Sequence, residues 1–155
     1  MPSEPLTDLA QILASLTVTR RGEYVYATVP AGEDGALPSI FDPDTHAILD
    51  DVEPLATVRE AEGLTLVLPV EDAPRLAAEF VLQFDDVFTC LTLDVHSALT
   101  SVGLTAEFSR ILADAGISCN VLAGFFHDHL LVPADRADDA EALLLALADR
   151  TRAGE

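Results

Sequence analysis

The feature that most constrains the fold is a run of nine residues, VFTCLTLDV, at positions 87–95. Nearly all of these residues are apolar or β-branched, a pattern typical of a strand in the middle of a sheet with both faces covered. Because a central strand needs neighbouring strands and a layer packed over it, the rest of the chain has to supply further strands and covering helices.

The residues that follow this run supply those elements in a defined order. Residues 104–115 repeat apolar side chains with the period of a helix, and Gly116 is predicted to end that helix. Strands are predicted at 117–126 and 130–132, and a second amphipathic helix is predicted at 138–150. This part of the chain therefore predicts the order β-α-β-β-α.

The first half of the chain predicts a similar set of elements. They are a helix at 5–16 with Thr7 or Asp8 as its cap, a strand at 23–29, strands at 54–60 and 64–68, and a helix at 72–84. The two halves share the order of elements and no residue repeat. An α+β fold, with helices packed on one face of antiparallel sheets, accommodates both halves.

Composition and the absence of known motifs bear on the class of function. The chain has 27 acidic residues against 8 basic ones, a formal net charge of −19. Such a surface repels phosphate backbones and anionic lipids, so neither nucleic acid nor a membrane is expected as a partner. The sequence has no signal peptide and no apolar run near the ~20 residues of a membrane-spanning helix, so a cytoplasmic location is expected. It also has no nucleophile elbow, P-loop or dinucleotide fingerprint, so neither an enzyme nor a cofactor is expected.

Residues 94–133 read DVHSALTSVGLTAEFSRILADAGISCNVLAGFFHDHLLVP. This segment resembles an uncharacterised bacterial family of ACT-domain proteins, in which a VHS…VGLTA motif precedes the motif NVxAGxxHDHxxVP. The first half supports the resemblance with GEYVYATV at 22–29 and EGLTLVL at 62–68. The resemblance implies a tandem ACT-like fold with βαββαβ halves, an N-terminal half at 1–86 and a C-terminal ACT domain at 87–155.

The resemblance also implies a function and an assembly. ACT units usually bind amino acids at the interface between units, so the resemblance implies a regulatory or sensor protein that binds a small molecule, most simply an amino acid. A homodimer is expected as well, because ACT-like sheets leave edge strands that need to be covered.

Three histidines are predicted to meet at one edge of the C-terminal sheet. In a βαββαβ layer the first and third strands are antiparallel neighbours, so His96 at the end of one lies beside His129 at the start of the other. The second strand ends at the same edge, at His127, and Asp128 lies between the two histidines. The turn before the helix opens at this edge too, and the free amides of a helix N-terminus favour a carboxylate.

Three interpretations of this edge stay open from the sequence. The HDH segment can be a turn whose side chains bond one another, a metal site made by His96, His127 and His129, or a wall of a small-molecule site. The residues assigned to the predicted ligand site are His96, Ser97, Ser101, Gly103, His127, Asp128 and His129. The rival functions are a metal-binding protein or metal-dependent enzyme, and a structural or interaction module without a ligand.

Overall fold

The computed structural model describes residues 6–39, 43, 49, 52–77, 81–95, 98 and 100–154, and for residues 81–85 it describes the backbone only. The described residues form, in chain order, α1 (Leu9–Ser15), β1 (Val18–Pro30), β2 (Ala56–Arg59), β3 (Gly63–Pro69), α2 (Ala73–Leu76), β4 (Val81–Leu93), α3 (Leu104–Asp114), β5 (Asn120–Ala123), β6 (Asp128–Pro133), a 3-10 turn (Ala134–Arg136) and α4 (Ala137–Ala153).

The six strands are hydrogen-bonded in the order β2-β3-β1-β4-β6-β5. The pairs β1–β3, β2–β3 and β5–β6 are antiparallel. The predicted α+β class, with antiparallel strands and packed helices, is therefore confirmed. By their contacts the residues divide into two compact units, and each unit has its own buried apolar cluster.

The first unit joins the residues up to Arg21 with those from Thr89 onward. Alternate residues of β4 and β6, such as Leu91 and Leu130, lie in one buried cluster with the apolar faces of α1, α3 and α4. Because alternate residues of a strand point to the same side, these helices cover one face of the strands. Each fully buried Leu or Phe in the cluster contributes about 1.5–3 kcal/mol by leaving water.

Local signals set the ends of the helices in this unit. α1 begins after Asp8, whose Oδ1 accepts a hydrogen bond from the Gln11 backbone N–H at 2.9 Å, as the sequence predicts for one of its two candidate caps. α3 ends before Gly116, whose φ of 68° lies in the left-handed region that glycine adopts without strain. α4 has Asp138 and Asp139 in its first turn, where a helix N-terminus favours negative charge.

The second unit comprises Gly22–Phe88. In it β3 lies between β1 and β2, with Val25 opposite Leu68 and Thr57 opposite Leu66. The alternate residues Leu64, Leu66 and Leu68 share a buried cluster with Val25, Ala27 and the short helix α2. The period of two in β3 therefore defines the core face of this unit.

Two predicted elements are wrong in extent. The helix predicted at 72–84 is only α2, Ala73–Leu76, and the chain is a strand from Val81 onward. Residues 76–84 have both helical and strand-like spacing of apolar residues. β4 is 13 residues long, like its neighbour β1, and strand pairing in the sheet prevails there over the helical pattern. The strand predicted at 117–126 is the four-residue β5, because Gly124 and the two residues after it form the turn into β6.

Candidate functional site

The turn between β5 and β6 is closed tightly around Gly124. The strands pair from Asn120 opposite Leu131 to Ala123 opposite Asp128, and the Gly124 backbone N–H then donates to the His127 carbonyl oxygen at 2.9 Å. A Cβ atom at position 124 would lie 2.7 Å from that oxygen, which is closer than such atoms approach. Glycine is therefore required here, and the turn holds His127 and Asp128 at the end of the hairpin.

The N-terminus of α3 lies across from this hairpin. The preceding loop makes a turn in which the Ser101 N–H donates to the Ala98 carbonyl oxygen at 2.8 Å. The cap residue is Gly103, which has no side chain to accept from the first amides of the helix. Uncapped amides and the helix dipole together favour a negatively charged group at this end.

A cavity of about 110 Å³ lies between the α3 N-terminus and the hairpin. The helix side of its wall includes Ala98, Ser101 and Thr105, and the hairpin side includes Phe126, His127 and Asp128. A cavity of roughly 150 Å³ accommodates benzene, so this space holds part of a small metabolite, a group of a few non-hydrogen atoms.

Two polar side chains that line the cavity, Asp128 and His127, are each half-buried. Burial raises the pKa of Asp128, and the neighbouring His129 and His127 offset part of that rise. The Nδ1 atom of His127 is buried and has no hydrogen-bond partner among the described residues. A buried polar atom left unpaired costs about 1–3 kcal/mol. The wall of the cavity therefore includes one polar atom, His127 Nδ1, whose hydrogen-bonding capacity is unused among the described residues.

His129 lies on the other face of β6 and does not line the cavity. Its Nδ1 is 2.9 Å from the hydroxyl of the buried Thr92, which also accepts a hydrogen bond from Arg21 Nε at 3.4 Å. Burial lowers the pKa of His129, and the charge of Arg21 lowers it further. His129 is thus a neutral imidazole at neutral pH, held in place by the strand beside it.

The structure brings together three of the seven residues predicted for the ligand site. Ser101, His127 and Asp128 line one cavity. Gly103 lies beside it with φ at 104°, and a Cβ there would lie 2.9 Å from Cδ2 of Leu9, so backbone geometry and packing explain this glycine. His96 and Ser97 lie outside the described residues.

Sequence reasoning missed Thr105 and Phe126, which also line the cavity. Thr105 is the second residue of α3, and its position could have been read from the helix start. Phe126 belongs to the turn that was predicted as strand.

Among the described residues, which do not include His96, no group of three or more His, Cys, Asp or Glu side chains is arranged to hold a metal ion. No helix in the described part of the chain is long and apolar enough to span a bilayer.

Family models of the ACT domain match the chain twice, at residues 4–85 and at residues 86–146. A comparison with curated proteins gives no match. Among solved structures, a Vibrio cholerae protein of unknown function, described as a possible transport protein, is 38% identical to this chain. The similarity covers 90% of this chain and 95% of that one, with a TM-score of 0.69.

Two more distant structures have the same fold. The aspartokinase alpha and beta subunits match with a TM-score of 0.67 and 13% identity, over 87% of this chain and 99% of that one. The regulatory subunit of aspartate kinase from Thermus flavus matches with a TM-score of 0.60 and 10% identity, over 85% of this chain and 95% of that one. At these identities the likeness concerns the fold alone.

Proposed function

Because the chain belongs to the ACT domain family, we propose that it is a regulatory or sensor protein that binds a small amino acid in the cavity between α3 and the β5–β6 hairpin. Membership of this family supports a regulatory, ligand-binding role rather than catalysis. The observation that carries the choice of ligand is the pairing of an uncapped helix N-terminus with Asp128 around one cavity.

These two walls suit the two charges of an amino acid. The carboxylate of the ligand accepts from the first amides of α3 and from the hydroxyls of Ser101 and Thr105. The ammonium group donates to Asp128, and its positive charge stabilises that carboxylate against the cost of burial. An anionic ligand without an ammonium group would leave the Asp128 carboxylate opposed by another negative charge.

The volume of the cavity limits the size of the amino acid. The cavity is smaller than the roughly 150 Å³ that accommodates benzene, so only a short side chain fits beside the amino-acid backbone. The cavity therefore favours amino acids with short side chains, such as alanine or serine. Tryptophan and arginine are too large for it.

A thermal-shift panel of the twenty amino acids and common divalent metals tests this proposal. An amino acid present at 100 times its Kd should stabilise the protein by about 2.7 kcal/mol. Stabilisation by zinc or nickel instead would favour the histidine metal site, and a flat response to every compound would favour the module without a ligand.

The Asp128→Asn variant separates this cavity from other binding surfaces. It removes the charge that faces the ligand ammonium group, so we expect the stabilisation by the amino acid to disappear. Asp135→Asn makes the same change at an exposed position outside the cavity and serves as the matched control. Equal stabilisation of both variants would place the ligand elsewhere.

A further inference from the structure

Arg20 and Arg21 are adjacent in β1, and strand geometry sends their side chains to opposite faces of the sheet. Arg20 faces α4, where it pairs with Asp138 at 2.6 Å and with Glu141 at 2.9 Å. On the other face, Arg21 Nε donates to the hydroxyl of Thr92 at 3.4 Å and forms no ion pair with a described residue. The two neighbouring arginines therefore differ in whether a carboxylate compensates their charge.

An arginine without a carboxylate partner is unusual in a chain with 27 acidic residues against 8 basic ones. All eight basic residues are arginines in the described part of the chain, and five of them form ion pairs: Arg20, Arg75, Arg110, Arg136 and Arg152. Of the other three, Arg59 and Arg150 are simply exposed, whereas Arg21 is held by a side chain of a neighbouring strand. Arg21 is therefore fixed in position and still has its charge available.

Arg21, Thr92 and His129 form a polar row across the neighbouring strands β1, β4 and β6. Leu91 and Leu93, on either side of Thr92, belong to the cluster that the helices cover. Because side chains alternate along a strand, the row lies on the opposite face of these strands. Thr92 is fully buried there, between the guanidinium and the imidazole.

The hydrogen bonds of the row determine which nitrogen of His129 carries the hydrogen. A guanidinium only donates, so the Thr92 hydroxyl accepts from Arg21 and has its own hydrogen to donate. The acceptors beside it are His129 Nδ1, at 2.9 Å, and the thiol of Cys90, whose sulfur is a weak acceptor. The hydroxyl therefore donates to Nδ1, and the neutral imidazole carries its hydrogen on Nε2.

Both ends of the row are therefore hydrogen-bond donors. Arg21 uses its Nε–H on Thr92, which leaves the N–H groups of its terminal nitrogens for a ligand. His129 Nε2 has no partner among the described residues. A Cβ atom at position 124 would lie 3.4 Å from this nitrogen, so Gly124 leaves it accessible on that side. Two donors without an acceptor, one of them charged, are suited to an anion.

The surrounding charges limit this anion to a single negative charge. Burial lowers the pKa of His129, the charge of Arg21 lowers it further, and the charge of Asp94 offsets part of the change, so both charged groups lie near the imidazole. Asp94 accepts a hydrogen bond from Thr19 and repels a second negative charge, as does the net charge of −19. A carboxylate carries one charge and matches the planar fork of an arginine.

We infer that the carboxylate of a small organic acid binds between Arg21 and His129 Nε2, and that Thr92 positions both side chains. The terminal nitrogens of Arg21 donate to the carboxylate oxygens, and the Nε2–H of His129 donates to one of them. This site and the amino-acid cavity lie on opposite faces of β6. The inference therefore does not depend on the proposed amino-acid ligand.

An NMR titration of the isotope-labelled full chain with acetate, at constant ionic strength and without amino acids, tests the inference. We expect saturable shifts of the His129 Nε2 and Arg21 side-chain resonances. We expect Arg21→Gln to weaken acetate binding about tenfold or more, because it removes a charged donor. Arg150→Gln removes the same charge at an exposed position of α4 and should bind acetate as wild type does. Circular dichroism checks that both variants are folded.

Two further measurements test the details of the site. The imidazole nitrogen shifts at neutral pH should show the His129 hydrogen on Nε2, and inorganic phosphate should bind more weakly than acetate. Acetate bound at the α3 N-terminus instead would shift the first amides of that helix and would be unaffected by Arg21→Gln. The inference is overturned if acetate gives no saturable shift at His129, if Arg21→Gln and Arg150→Gln bind it equally, if the hydrogen is on Nδ1, or if phosphate binds more tightly.

Discussion

Asp128 and His129 are adjacent in β6, and strand geometry sends their side chains to opposite faces. Asp128 faces the cavity, and His129 is held against Thr92. Burial raises the pKa of the acid and lowers the pKa of the histidine, so in both cases it favours the neutral form. The folded protein therefore binds a proton at Asp128 more readily than the unfolded chain does, and at His129 less readily.

The pH dependence of Asp128→Asn follows from this shift. Because the pKa of Asp128 is raised on folding, wild type loses stability from this group as the pH rises from the unfolded value of about 3.9 through the folded value. The asparagine variant does not, so we expect it to be more stable than wild type at pH 7, with a gain that shrinks towards pH 4. Urea midpoints measured by circular dichroism across this range check the prediction. A gain that is constant with pH would contradict it.

The pKa shift of His129 acts in the opposite direction. Its pKa is lowered on folding, so the folded protein disfavours the protonated imidazole. Above about pH 6.5 the imidazole is neutral and this cost is absent, and as the pH falls below that value the group destabilises the folded protein. The glutamine of the His129→Gln variant does not titrate. We therefore expect the variant to lose less stability than wild type between pH 7 and pH 5. The same urea midpoints, taken with Asp135→Asn as a control for general charge effects, measure it. A wild-type curve and a variant curve that run parallel would show that another group is responsible.

At the scale of the element, α3 begins and ends at glycines with left-handed backbone angles. Gly103 has φ at 104° and Gly116 has φ at 68°. A methyl group at 103 would meet Leu9 Cδ2 at 2.9 Å, whereas nothing lies within 4 Å of one at 116. Both positions therefore require a left-handed backbone, but only at 103 would an added methyl group meet a neighbouring side chain.

This difference predicts the cost of alanine at each end of α3. Gly116→Ala should cost about 1 kcal/mol from backbone strain alone. Gly103→Ala should cost about 1.5–2.5 kcal/mol, since the Leu9 side chain has to leave its present rotamer as well. Chemical denaturation of both variants gives the comparison. Equal costs would mean that the Leu9 side chain moves aside freely.

The spacing of apolar residues predicted the elements whose ends are set by local sequence signals. The helix ending at Gly116, the Asp8 cap and the tandem ACT-like fold implied by the resemblance are confirmed. The helix at 72–84 was wrong because strand pairing, which connects residues distant in sequence, decided the structure there. The alternation of side chains along a strand could have predicted that His129 points to the face opposite Asp128. The contact of Gly103 with Leu9 could not, because it depends on how α1 packs.

At the scale of the whole molecule, the net charge of −19 destabilises the folded state by repulsion between carboxylates. The ion pairs on the described surface, such as Arg20 with Asp138 and Glu141, are largely exposed and contribute little. Screening should therefore relieve more repulsion than it costs in attraction. We expect the thermal unfolding midpoint to rise as NaCl increases from low concentration to about 0.5 M, where the Debye length falls to a few ångströms. A midpoint that falls with salt, measured by calorimetry, would show that attractive pairs dominate.

The first compact unit is not continuous in the chain. α1 packs against α4, and the Arg152 side chain at the end of α4 donates to the carbonyl oxygen of Ala14 at 2.9 Å. Ile12 lies in α1 and Leu16 directly follows it. Both are fully buried in the same cluster as Phe108. A fragment that starts at residue 87 would leave this cluster open to water. A shortened version that keeps the cluster would instead excise 22–88 and splice residue 21 to residue 89 through a short linker.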